Sequence, residues 1–360
     1  AWAQDNQKQR AVLAIEVLGA MGTDLALSLV GRMSRSSLRQ YMKDRATELL
    51  AEIASNRGLS SDELEDRTAP DLGLDAEGTL LLDFGPRAFR VGFDEHLSPF
   101  VQTSEGERLE AFPRPNKNDD AAKAKAASET WKLLKSEAEK VSRDQVARLE
   151  RMMADERRVE ADVFVHSFVH HPLIGHLTKR LVWGAFDSKG ALLKTFRVSE
   201  DKSLATVEDD TYALPSDAEV GLIHPYTLRT ESGLTARWGQ VLADYAVMQP
   251  FGQLSRPTET FAPDAVGARY ANKKAPTSLL YTLRAHGWRA DTGEYGETEG
   301  FTREVSGYRY QLQLRQPMAQ GEPSKLHDVS LTASHDADAT KPSAVQLAEL
   351  VHQLDRVIVA

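Results

Sequence analysis

Cysteine is absent from all 360 residues. That excludes disulfides, thiolate zinc sites, iron–sulfur clusters and cysteine nucleophiles, and it fits a cytoplasmic location. No window approaches the run of about 20 apolar residues that a membrane span needs. Positive charge is in the minority, with 44 Lys and Arg against 53 Asp and Glu, a net charge of −9. Such a chain is not a general nucleic-acid grip, because phosphate binding rests on excess Lys and Arg. The basic clusters Lys179-Arg180, Lys273-Lys274 and Arg148, Arg151, Arg157, Arg158 are interleaved with acids and predict no basic stripe. There is no Walker loop, no G-x-G-x-x-G, no G-x-S-x-G elbow and no EF-hand loop. The opening Ala1-Trp2-Ala3-Gln4-Asp5 has no charged segment followed by an apolar one, so it is not a signal peptide. It starts without Met and is read as a boundary inside a longer protein.

What is present is ordinary for a folded chain: 41% hydrophobic and 27% charged residues. At roughly 100–200 residues per domain, two domains are expected. Residues 8–57 read as helices, with Val12, Ile15 and Leu18, then Leu25, Leu27 and Leu29, then Leu38, Tyr41, Met42, Arg45, Leu49 and Ile53 at helical spacing. Gly22-Thr23-Asp24 separates the first two. Each helix has one apolar stripe and must stack on a neighbour, the logic of solenoid repeats. The stretch AIEVLGAMGTDLALSLVGRM (14–33) resembles a HEAT-type repeat, so residues 1–70 are expected to be a HEAT-like helical segment. Ser60 and Glu63 form a capping box.

The pattern then changes. Leu80, Leu82, Phe84, Phe89, Val91 and Phe93 alternate between turn signals and predict a β-meander over 78–103. A polar linker at 112–120 precedes a long amphipathic helix carrying Trp131, Leu134, Ala138, Val141, Leu149 and Met152. More helix is expected over 160–182, broken at Pro172 and Gly175, then strands to about 224. Helix returns at 232–248 and 277–286, strands at 300–333 and a last helix at 343–356. Helices and strands are mixed without β-α-β alternation, so residues 71–360 are expected to form a mixed, mainly antiparallel α+β domain. Trp183 lies between two apolar-patterned elements and is predicted to be core, with Gly184 letting the backbone pass beside its ring.

Several short motifs invite chemistry. Asp83-Phe84-Gly85 spells the kinase metal triplet, but the Gly-rich loop, strand Lys and His-Arg-Asp loop are missing. Trp183-Gly184-Ala185 and Trp238-Gly239-Gln240 approach Trp-Gly-Arg without its Arg. His166 and His170 share a helical face in the manner of a two-histidine metal clip, yet no general base lies between them and further ligands would have to come from elsewhere. No metal or cofactor is therefore assigned. His171-Pro172 and His224-Pro225 end elements, where side chains can face clefts. Gln249, Gln253 and Arg256 put two amides and a guanidinium in one short loop around Pro250 and Phe251. They can read a ligand by directed hydrogen bonds or satisfy buried backbone. His335-Asp336-Ala337-Asp338 and Glu208-Asp209-Asp210 read as solvated.

Five ordered blocks carry a family resemblance: LLLDFGPRAFRVGFDEHLSPFV (80–101), HHPLIGHLTKRLVWGAFD (170–187), VGLIHP (220–225), WGQVLADYAVMQPFGQLSRP (238–257) and LRAHGWRADTGEYG (283–296). Together they resemble the domain of unknown function 4132 found in bacterial proteins of the molybdate-metabolism-regulator (MolR) type, over about residues 50–360. The resemblance implies WGR domains and helical repeats elsewhere in the parent protein, and no catalytic residue. The expected function is a non-catalytic regulatory or interaction module. Its partners are expected among other domains of the same polypeptide or a separate protein, without nucleic acid or membrane. The alternative is an enzyme or a nucleotide- or small-ligand-binding domain, with His171 or His224 as acid–base groups and Gln249, Gln253 and Arg256 as donors.

Overall fold

A computed structural model describes residues 8–35, 39–229, 231–259, 261–271, 273–318, 326–336 and 339–358. The expected positions Leu38, Ala337 and Asp338 lie outside them. The chain opens with α1 (Lys8–Met21), α2 (Asp24–Arg35), α3 (Gln40–Asn56) and α4 (Ser61–Arg67). Their inward positions, among them Ile15, Leu27, Val30, Ala46, Leu50 and Leu64, form one core. Ser60 and Glu63 cap α4 reciprocally, as their spacing requires.

The meander follows: β1 (Leu80–Asp83), β2 (Ala88–Phe93) and β3 (Pro99–Gln102), paired antiparallel in that order. Next comes α5 (Ala121–Ala154), whose 34 residues make a rod about 51 Å long. This helix is the spine of the molecule. Ala124, Ala127 and Leu134 near its start pack under the meander. Glu137 meets Arg32 of α2 at 3.2 Å. Leu149, Met152 and Met153 near its end enter the central core.

The central sheet is built from β4 (Arg158–Glu160), β5 (Trp183–Phe186), β6 (Leu192–Val198), β7 (Leu204–Ala205) and β8 (Glu219–Leu222), in the order β4-β8-β5-β6-β7, all antiparallel. Between β4 and β5 run α6 (Ala161–Phe164), a π-helical turn at 165–169 and α7 (Ile174–Thr178). After β8 come α8 (Pro225–Leu228) and α9 (Leu234–Asp244). One face of the sheet packs on α5, α6 and α7, and Val182, Phe186 and Ile223 pack with Leu228, Leu234 and Trp238 of α8 and α9 on the other. Burial on both faces explains why every residue of β5 is apolar and enclosed.

The C-terminal layer holds α10 (Val266–Arg269), β9 (Lys273–Pro276), α11 (Thr277–Leu280) and a 3-10 turn at 281–286. It continues with β10 (Arg289–Thr292), β11 (Thr298–Val305), β12 (Tyr308–Met318), β13 (Leu326–His335) and α12 (Ala344–Asp355). The sheet order is β10-β11-β12-β13-β9, again antiparallel. Leu347, Leu350, Val351 and Leu354 of α12 pack with Phe301, Tyr310 and Leu312 of this layer. The fold is thus mixed α+β with antiparallel sheets. No helix among the described residues is long and apolar enough to cross a membrane.

Trp183 is fully buried, against Phe164 at 4.8 Å and Phe168 at 5.6 Å between ring centres. Gly184 has a different neighbour from the one expected: a Cβ there would meet Ile223 Cδ1 at 2.4 Å and Leu192 Cδ1 at 2.9 Å, so it makes room for aliphatic packing rather than for the indole. The acidic run is also not simply solvated. Glu208 pairs with Arg237, and Asp209 accepts from Arg197 at 2.7 Å and from the Tyr245 hydroxyl.

Candidate functional site

A buried polar cluster forms where the end of α5, the start of α8, the segment after α9 and α12 converge. β8 ends at Leu222, and Pro225 begins α8 with its preset φ. His224 is left extended between them as the N-cap, its Nδ1 accepting from the Tyr226 amide at 3.0 Å. The ring proton therefore sits on Nε2, which lies 3.2 Å from Glu349 Oε1 of α12. Arg256 Nε approaches the same oxygen at 3.2 Å. Neither contact is a well-directed hydrogen bond, and the three atoms involved have no other hydrogen-bond partner. The Arg256 guanidinium also reaches Glu150 of α5 and Nε2 of His352, less than one turn along α12 from Glu349. His224 and Glu349 are 2% and 1% exposed, so their contact is sealed from bulk water, whereas Glu150 and His352 are only half-buried.

A second set extends the seam. Arg303 of β11 donates to Gln353 at 2.5 Å, to the His286 carbonyl at 2.7 Å and to Asp155 at 2.7 Å. The Trp288 indole donates to Gln353 at 3.2 Å, and Ser343, the N-cap of α12, bonds Glu156. The polar side of α12 is thereby tied to the end of α5 and to the C-terminal sheet. Burial opposes ionisation of Glu349, but the adjacent His224 ring and the Arg256 charge outweigh it and hold its carboxyl below the ordinary range. Burial and the Arg256 charge push His352 down. His286 is lowered too, by burial foremost and by Arg356, Arg303 and Arg256 against the pull of Glu150.

Of the residues expected to serve a ligand, His224 and Arg256 meet at Glu349. Gln253 lies just behind them, fully buried, and acts on the backbone. Its amide nitrogen donates to the Val182 carbonyl at 2.7 Å and the Ile223 carbonyl at 2.9 Å, while its oxygen accepts from the Val182 amide at 2.9 Å. Gln249 donates to that same oxygen at 2.8 Å and accepts from the Leu254 amide at 3.2 Å. The two amides splice the chain where β5 begins and β8 ends. His171 belongs to a separate set: Nδ1 accepts from the Leu173 and Ile174 amides, both at 3.1 Å, and Nε2 faces the Ala69 carbonyl at 3.0 Å. It fastens α7 to the chain leaving α4. His166 and His170 are exposed, and the π turn between them alters the regular helical spacing on which a two-histidine clip depends. Among the described residues, no three His, Asp or Glu side chains are grouped to hold a metal.

Glu150, Glu349 and His352 were not singled out by the sequence. Their pattern, Glu349 and His352 three apart on a helix, looks like any solvated helix face, and their partner Arg256 lies about a hundred residues away. Another contact concerns Gly78 (φ +73), where a Cβ would stand 2.5 Å from His176 Nε2 and 2.6 Å from the Pro172 carbonyl oxygen. A side chain there must displace backbone as well as adopt an unfavourable φ. Gly78→Ala is expected to cost about 1–3 kcal/mol, read as a lower urea midpoint; an unchanged midpoint would show that the loop before β1 is not seated on α7.

The sequence profile of the domain of unknown function DUF4132 matches residues 106–288, just over half of the chain. The match takes in α5, the central sheet and the His224–Arg256 side of the cluster, and stops short of α12. An Escherichia coli (strain K12) protein described as uncharacterized protein YehI is 36% identical over 320 residues, covering 87% of this chain and 26% of that protein. The chain thus spans about a quarter of the length of the curated relative it matches. No solved structure matches. With the spine helix, the central sheet and half of the buried cluster inside one family profile, the chain belongs to the DUF4132 family.

Proposed function

We propose that this chain is a non-catalytic regulatory or interaction module of a larger bacterial protein of the MolR type, working in the cytoplasm. In this reading residues 1–70 are the end of a HEAT-like array, residues 71–360 are the α+β domain, and WGR domains lie elsewhere in the parent. The partner is another part of the same polypeptide or a separate protein. One observation carries the proposal. Leu13, Val17 and Met21, at four-residue spacing on α1, are 57%, 52% and 59% exposed, and Leu25 on α2 is 48% exposed. Scattered exposed aliphatics are commonplace, but a continuous row on one helix face marks a surface that a partner covers.

The test uses the longer relative. Mixed with the remainder of the E. coli protein, this chain is expected to co-elute as a complex. Leu13→Glu combined with Val17→Glu is expected to weaken that complex at least about tenfold. No complex, or one indifferent to the two charges, counts against the reading. The alternative of a small-ligand site at His224, Gln249, Gln253 and Arg256 has against it that each of these side chains is already engaged within the protein. A stabilisation of about 2.7 kcal/mol by a nucleotide, molybdate or a divalent metal at a hundred times its dissociation constant would restore it.

A further inference from the structure

The contact between Arg256 and His352 constrains protonation by geometry alone. A guanidinium has five donors and no acceptor, so the His352 Nε2 facing it must present its lone pair. Taking up a proton there abolishes the acceptor and sets two cations against each other. The other charges around His352 come from several elements: Glu349 and Arg356 from α12, Glu150 from α5 and Arg256 from the segment after α9. Farther along the same network, His224 at the start of α8 meets Glu349, Arg303 of β11 meets Gln353, and His286 of the 3-10 turn feels Glu150, Arg256, Arg303 and Arg356. Both carboxylates nearest His352 are already taken by Arg256. A protonated His352 can satisfy its new charge only by competing with Arg256 for them.

We propose that this cluster is a proton-operated latch: in mild acid a solvent proton binds His352 Nε2, Arg256 leaves its seat between Glu150 and Glu349, and α12 loosens from α5 and α8. α12 is the element through which the release would spread. It carries Glu349, His352 and Gln353 on its polar side and core residues of the C-terminal sheet on its other side. The sign follows from the direction of the shift. The docked state disfavours the proton, so docking is full above the ordinary histidine value of about 6.5 and weakens as pH falls below it. Glu349, held below its ordinary range, stays ionised through that interval and titrates only at lower pH. Loosening between about pH 6.5 and 5 therefore belongs to histidine.

Hydrogen exchange tests the proposal. After correction for intrinsic rates, amides of 344–355 are expected to exchange at least about fivefold faster near pH 5.5 than near pH 7.5, while those of β5 and β8 change little. His352→Gln supplies a neutral side chain at both pH values and is expected to remove most of that difference. Equal protection at the two pH values, or a difference that survives His352→Gln, overturns the latch. Should His352→Gln fail to fold, the wild-type protein with carbon-labelled histidine decides: His352 must titrate below about 6.5, and a value at or above it refutes the proposal.

Discussion

Trp183→Ala is expected to lower stability by about 3–5 kcal/mol. The indole is fully buried where α7 hands over to β5, and it touches Phe164 and Phe168 in a cluster that continues to Phe196. Its truncation leaves a cavity between a helix layer and a sheet, and the sheet cannot sag into it. Trp183 is paired on one side with Phe196 and on the other with Leu222, so both flanking strands hold its backbone. The neighbouring Gly184 is already overlaid by Ile223 and Leu192. A hydrogen bond is lost as well, since the indole N–H donates to the Thr178 carbonyl at 2.9 Å inside the core. Urea unfolding reads the effect as a lower midpoint at an unchanged slope. Trp183→Phe keeps an aromatic ring but not the N–H, and is expected to recover part of the loss. A deficit below about 1 kcal/mol for the alanine variant would mean that the site repacks freely, contrary to its position between two paired strands.

The second large effect is expected at Arg256. Arg256→Ala should cost about 3–5 kcal/mol, because it strands Glu349 and Glu150 without the cation that faces them. The cost is not the worth of the ion pairs. Desolvating a guanidinium and two carboxylates offsets most of their attraction, so removing the charges together is far milder than removing one. Arg256→Met with Glu349→Gln is accordingly expected to fall short of the sum of the single losses by about 1–3 kcal/mol. Strict additivity would show that the two side chains do not share one network. Trp288, whose indole bonds Gln353 next to His352 on α12, offers a local fluorescence reporter for the same seam.

Legibility in the sequence depended on how far apart the interacting residues lie. The capping box at Ser60 and Glu63, the meander from Leu80 to Val101 and the long helix after Asp120 were all visible, because each is specified within a few residues. The short strands β4, β9 and β10 were not. Each has only three or four residues and is held by a partner strand rather than by its own pattern. Gln253 and Arg256 were recognisable as an unusual polar pair, but the choice between gripping a ligand and gripping the protein lay with residues far off in the chain. Gln253 finds the ends of β5 and β8, and Arg256 finds Glu150 and Glu349.

By itself, then, the amino-acid sequence determined the alternation of helical and strand segments, the mixed α+β class, the absence of thiol chemistry and the burial of Trp183. All of these follow from local periodicity, composition and apolar surface that must leave water. Only the tertiary structure decided that His224 caps a helix against Glu349, that His171 ties α7 to Ala69, and that Arg256 sits between α5 and α12 facing a neutral His352. A buried charge has to be paired, but many partners satisfy that requirement equally well. Which one is used depends on where packing of the apolar faces brings the backbones together, and no local pattern encodes that.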